Sequence, residues 1–173
     1  RLQGDWSSDV CSSDLSGCVA RVDFLGTGNA FCPSGRMHAL AILDEKILID
    51  APPTLLAQMR RSNISTGQVE HILFTHWHGD HAFGFPFLIL DRKYITDTSA
   101  DKILALHHRP GGREYLTSLS KLGFPGSLED FLESRIFWND EESGKLEGTE
   151  WSYERFPVRH TPETDPQIGR AHV

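Results

Sequence analysis

Cysteine is scarce in this sequence, three in 173 residues, and Cys11 falls in an end segment set aside below. Cys18 and Cys32 alone exclude a multi-bridge disulfide scaffold and are compatible with a reducing cytoplasm, the expected location. Long apolar runs are missing too. Nothing approaches the roughly 18 consecutive apolar residues of a membrane-spanning helix, so no membrane partner is expected. No internal repeat, low-complexity tract or clear linker interrupts the chain, which leaves one domain or part of one. Positive charge is in deficit, 17 Lys+Arg against 24 Asp+Glu. That balance argues against a broad phosphate-binding surface, although a local basic groove stays open.

The two ends are related through the genetic code. Written as ATC GGA AGA GCA CAC GTC, the tail Ile168-Gly169-Arg170-Ala171-His172-Val173 has a reverse complement that translates as Asp-Val-Cys-Ser-Ser-Asp, the residues at 9–14. The same DNA is similar to a common short-read sequencing adapter. Residues 1–15 and 168–173 are therefore expected to be adapter-derived and are set aside, leaving 16–167 as the interpretable stretch of a longer gene. Without Arg1, Arg170, Asp5, Asp9 and Asp14 the charges stand at 15 against 21, a balance of −6.

The remaining pattern is mixed α/β. Val19–Leu25 reads as a strand ending at Gly26-Thr27-Gly28. Ala39–Leu43 and Ile47–Ile49 read as a hairpin around Asp44-Glu45-Lys46. Pro52-Pro53 opens a helix through about Arg61, with Leu55, Leu56 and Met59 as its apolar stripe. His71–Phe74 is a short buried strand. Helices are expected over Ala82–Leu90, Arg113–Leu122 and, for a turn or two, Ser127–Leu132. Strands are expected over Lys102–Leu106, Arg135–Trp138 and Trp151–His160, with Asp140–Lys145 as a hairpin turn.

Four potential metal ligands follow the His71–Phe74 strand within six residues: His76, His78, Asp80 and His81 in Thr75-His76-Trp77-His78-Gly79-Asp80-His81. On a helix His76 and His78 would point about 200° apart, whereas an extended loop puts i and i+2 on one side, where two imidazoles can share an ion. The same backbone aims Asp80 and His81 elsewhere, so a second ion uses all four groups. Structural zinc knots lean on cysteine, and this all-imidazole and carboxylate set suits hydrolytic zinc, with manganese or iron as alternatives. Farther along, Phe156, Val158 and His160 share one parity of a strand. His160 is read either as a core histidine or as the third ligand that His76 and His78 need.

The segment resembles the His-x-His-x-Asp-His signature of the metallo-β-lactamase-fold hydrolases. Phe24-Leu25-Gly26-Thr27-Gly28-Asn29 with Pro33-Ser34 and Arg36, then Gly84-Phe85-Pro86 and Val158-Arg159-His160-Thr161, are similar to the ribonuclease Z and phosphodiesterase branch. The resemblance implies an αββα sandwich of two similar halves, of which the first half and the start of the second are expected here. It implies two divalent ions, most simply zinc, with His76, His78 and His160 on one and Asp80 and His81 on the other. A water between them would be the nucleophile, with Asp80 orienting it. Leu48-Ile49-Asp50 is similar to the family's early aspartate motif, whose carboxylate supports the metal loop from behind; an exposed strand-end aspartate is the alternative. The family's bridging aspartate and last histidine have no counterpart after His160, so the resemblance implies that this stretch alone is incomplete or inactive and that the hydrolase is its parent protein.

Phosphodiesters are the expected substrates, tRNA among them. Two alternatives stay open: an ester, lactone or thioester hydrolase, since the same nucleophile attacks carbonyls, and a non-catalytic metal-binding or interaction module. His38, His71, His107 and His108 are read as surface or loop residues, with an approach of His38 to the site through the opening loop left open, and Arg60-Arg61 and Arg92-Lys93 as solvated helix ends.

Overall fold

The computed structural model describes residues 20–99 and 102–158 in full, and 167–172 through their backbone. Its first sheet begins as an antiparallel meander of β1 (Val22–Gly26), β2 (Leu40–Leu43) and β3 (Ile47–Ile49). The reversal after β2 places Asp44 at φ 48° and Glu45 at φ 59°. Two successive positive φ values are the signature of the tight hairpin turn whose twist matches its strands. From β3 the sheet continues in parallel through β4 (His71–Leu73), β5 (Leu104–His107) and β6 (Ile136–Asn139), each the spatial neighbour of the one before. Parallel pairing demands crossovers. They are made by helices α1 (Leu55–Arg61), α2 (Gly79–Ala82), α3 (Phe85–Asp91), α4 (Gly112–Gly123) and α5 (Glu129–Ser134).

Period-two alternation sends neighbouring residues to opposite faces. Leu48, Ile72, Leu104 and Leu106 join the large core with Leu55, Met59, Phe85, Leu88 and Leu116 from the helices. Ile47 and Leu73 join a smaller core with Leu146, Trp151 and Tyr153. That core belongs to a second sheet of β7 (Ser143–Lys145), β8 (Ser152–Pro157) and β9 (Gln167–His172). The layers are helices, sheet and sheet; among the described residues no helix covers the outer face of the second sheet. No described helix is long and apolar enough to cross a membrane.

Several expectations change. The first crossover helix starts at Leu55, because Pro52-Pro53 forms a turn in which the Leu55 N–H donates to Pro52 O at 3.0 Å. The expected Ala82–Leu90 helix is two, and the first begins at Gly79, so Asp80 and His81 are helical. Between them the Gly84 N–H donates to Ala51 O at 2.8 Å, and a Cβ there would stand 1.9 Å from Pro52 O. Such an approach admits only glycine. Asp140–Lys145 is not one turn: Ser143–Lys145 is a strand paired with Ser152–Glu154, and the reversal falls at Leu146–Trp151, where Gly148 has φ 76°. Trp151, just before β8, and Tyr153 within it are buried, while farther along Phe156 and Val158 are part-buried and Pro157 between them is exposed. The tail forms β9, paired with β8 from Pro157↔Gln167 to Ser152↔His172. A backbone ladder requires only N–H and C=O groups, so this pairing is indifferent to where the codons came from.

Arg92 is no solvated helix end, being fully buried in a π-helical turn, Arg92–Thr96. It donates to Thr66 O, Val69 O and, at 2.7 Å, the Asp97 carboxylate, tying three chain segments together. Burial lowers its pKa and Asp97 opposes that shift.

Candidate metal centre

The site sits at the carboxyl ends of parallel strands, where open α/β sheets place their ligand crevices. Asp50 follows β3 directly, and its φ of 68° turns its carboxylate back under the next loop. Asp50 is 4% exposed and accepts three hydrogen bonds: from the Thr75 N–H at 2.8 Å, the Thr75 hydroxyl at 2.7 Å and His81 Nδ1 at 2.7 Å. A carboxylate accepts only, so Nδ1 carries the proton and the other nitrogen of His81 is left as the donor atom for a ligand. Burial lowers the His81 pKa, but the hydrogen bond and charge of Asp50, with the charge of Asp80, outweigh it and raise the value overall.

His76, 8% exposed, follows β4 in a loop outside any helix or strand, at whose end His78 has extended backbone. Its Nε2 lies 3.1 Å from His78 Nδ1, and its Nδ1 3.0 Å from the Thr75 hydroxyl. His78 precedes α2, and the first turn of that helix carries Asp80 and His81; His81 Nε2 stands 3.5 Å from Asp80 Oδ2, and the His76 and His81 rings are 4.1 Å apart. At Gly79 a Cβ would meet the Phe83 ring at 2.7 Å, so any side chain there requires that half-exposed ring to move. Trp77 anchors the loop. It stacks on Phe74 and Tyr115, and the Tyr115 hydroxyl donates to Trp77 O at 3.0 Å.

The structure therefore gathers His76, His78, Asp80 and His81 around a buried Asp50. His160 lies outside the described residues. Among the described residues no three His, Cys, Asp or Glu side chains form a ready cage for an ion. The donor chemistry nonetheless fits a divalent cation. Two ligand nitrogens on one zinc at about 2.1 Å stand roughly 3–3.5 Å apart, which is the His76–His78 separation, and two of the imidazoles have their other nitrogen engaged by Thr75 or Asp50 in the manner of ligating histidines. The groove above is lined by Ala30, His38, His78, Asp80 and Phe83, and His38 is fixed there by Thr54 at 3.1 Å.

Sequence reasoning missed the buried histidines. His71, His107 and His108 are each 5% exposed or less, and His71 Nδ1 meets His107 Nε2 at 3.0 Å between the sheets. Their placement on or directly after apolar strands was the available signal. Tyr115 and Arg155 left none.

A helical layer on a mixed sheet, a second sheet behind it, and a His-x-His-x-Asp-His loop at the strand ends define a metallo-β-lactamase-fold protein. The family described as Anti-Pycsar protein Apyc1 matches residues 20–169, and the chain belongs to that family. It is 34% identical over 106 residues to Ribonuclease Z of Haloferax volcanii, an alignment covering 60% of this chain and 32% of that protein. The chain thus spans about a third of that relative's length. Among solved structures, human tRNase Z, short form, superposes with TM-score 0.65 at 22% identity, over 87% of this chain and 64% of that one. The metallo-β-lactamase-fold protein YhfI from Bacillus subtilis superposes with TM-score 0.64 at 12% identity, over 88% and 58%. At those identities the likeness is one of fold.

Proposed function

We propose that this chain carries the divalent-metal centre of a cytoplasmic hydrolase acting on phosphodiester bonds. The observation that supports this most directly is the bond from His81 Nδ1 to the buried Asp50 carboxylate, which turns the other nitrogen of His81 toward Asp80, beside the His76–His78 pair. In this reading His76, His78 and His160 hold one ion and Asp80 and His81 the other, most simply zinc. Bound ions would polarise a phosphoryl oxygen and bring the pKa of water to about 7. Asp80 orients the attacking water and takes up its proton. Asp50 and Thr75 keep the imidazoles in their ligating tautomers, and Tyr115 keeps the loop from turning outward.

The names of the relatives, ribonuclease Z and tRNase Z, support an RNA phosphodiester. A small phosphodiester is the second reading, favoured by the net charge of −7. The test assays this chain and its complete gene product, both zinc-loaded, on bis-p-nitrophenyl phosphate, a tRNA precursor, a lactone and a thioester. Turnover of the first two by the complete gene product, falling at least about a hundredfold in His76→Ala, is expected. Turnover of carbonyl substrates alone would remove the phosphodiesterase reading, and metal binding without turnover of any substrate by either protein would favour a binding module.

A further inference from the structure

A second polar site lies beside the metal loop. Between the two sheets, at the carboxyl ends of β4 and β5, a small cavity open to solvent reaches from Thr75 to His108, Glu141, Tyr153 and Arg155. His108 is 4% exposed. Its Nδ1 is 2.9 Å from Arg109 O, and a carbonyl only accepts, so the proton sits on Nδ1 and the lone pair on Nε2. That Nε2 is buried with no hydrogen-bond partner among the described residues. Arg155 donates through Nη2 to Asp140 O at 2.7 Å, while its buried Nε and Nη1 have no partner there. No carboxylate among the described residues forms an ion pair with Arg155, and a guanidinium cannot shed its charge.

Two buried requirements therefore face one cavity: N–H donors with a positive charge, and a lone pair that needs a hydrogen. A water satisfies the lone pair and leaves the charge uncompensated. Sulfate satisfies the charge and, having no hydrogen at neutral pH, opposes its oxygens to the His108 lone pair. We infer that the cavity binds a phosphate group with a hydroxyl beside its anionic oxygens, the oxygens on Arg155 and the hydroxyl donating to His108 Nε2. Two sources carry that chemistry: inorganic hydrogen phosphate, and a ribonucleotide phosphate with its neighbouring 2′-hydroxyl. Burial first, and the nearby charge of Arg155, lower the His108 pKa, against the pull of Arg109 O and Asp140. The ring accordingly stays an acceptor at neutral pH.

The binding is independent of any hydrolytic step, so failure of the proposed activity leaves it standing, and the reverse holds too. Isothermal titration calorimetry on the zinc-loaded chain at pH 7.5 compares inorganic phosphate, sulfate, adenosine 3′-monophosphate and its 2′-deoxy counterpart. Phosphate binding at least about tenfold tighter than sulfate is expected, as is at least a tenfold loss in Arg155→Met with Arg155→Lys partly restoring it. His108→Leu should erase the phosphate-over-sulfate preference. A tenfold preference for the ribonucleotide over the deoxynucleotide identifies the nucleotide as source, and equal binding of the two, with phosphate still above sulfate, identifies the free ion. Equal affinity for phosphate and sulfate in the unaltered chain, which needs no variant to fold, would overturn the inference. So would phosphate binding that Arg155→Met leaves unchanged or that His76→Ala abolishes entirely.

Discussion

Lowering the pH from 7 to 5 charges one histidine in the unfolded chain that the fold keeps neutral. His107 is 5% exposed between the two sheets, and its hydrogen bonds have a fixed direction. His71 Nε2 donates to Glu147 O at 2.9 Å, so His71 Nδ1 accepts from His107 Nε2 at 3.0 Å, and His107 Nδ1 accepts from the Asn139 amide at 3.1 Å. An added proton must break one of these bonds. Burial first, then the charges of His71 and His108, push His107 down to about 3 from its ordinary 6.5. The unfolded chain takes the proton below pH 6.5 and the folded chain only near 3, so the neutral ring's stabilisation is whole above 6.5 and drains away as the pH falls toward 3. At about 1.4 kcal/mol per pH unit, some 2 kcal/mol disappears between pH 7 and pH 5, with a ceiling of roughly 4–5 kcal/mol near pH 3. Urea denaturation of the unaltered chain and of His107→Gln at pH 7, 6 and 5, at constant ionic strength, isolates this contribution, because carboxylates and the metal loop are common to both. The stability difference between them should move by about 2 kcal/mol in favour of the variant on acidification. Parallel profiles would refute the reasoning.

Other expectations follow from single contacts. Asp50→Asn should weaken zinc binding by about 10- to 100-fold in chelator competition, because an amide cannot fix the His81 tautomer as a carboxylate does. Gly84→Ala should destabilise by at least about 1–3 kcal/mol in chemical denaturation, since its methyl meets backbone at 1.9 Å rather than a movable side chain. Arg92→Met should cost about 3–5 kcal/mol by leaving the buried Asp97 without its 2.7 Å partner. Glu45→Gly, at φ 59°, should stabilise by about 0.5–1 kcal/mol once its exposed pairing with Arg21 is offset.

Local rules carried most of the fold. Alternation and turn chemistry located β2 and β3 within a residue, and apolar strands located β4 and β5 within about two, because each depends on residues adjacent in sequence. The errors arose where distant segments decide the outcome. Nothing in Phe83-Gly84 announces that Pro52 presses on it, and nothing in Arg92 announces that Thr66, Val69 and Asp97 wait to receive it. The histidines divide in the same way. The clustering of His76, His78 and His81 is legible from their spacing, whereas His71 and His107, 36 residues apart, become a pair only when β4 and β5 lie in register. Asp50 falls between the two cases: family likeness suggested its support of the metal loop, and the contacts to Thr75 and His81 give that support its atoms.

The most direct test of the central claim is X-ray absorption at the zinc edge on the loaded chain. A shell of nitrogen and oxygen alone is expected, with the outer-shell scattering of several imidazoles, and loss of that scattering in His76→Ala and His78→Ala. A sulfur shell, or a spectrum that both variants leave unchanged, would contradict it.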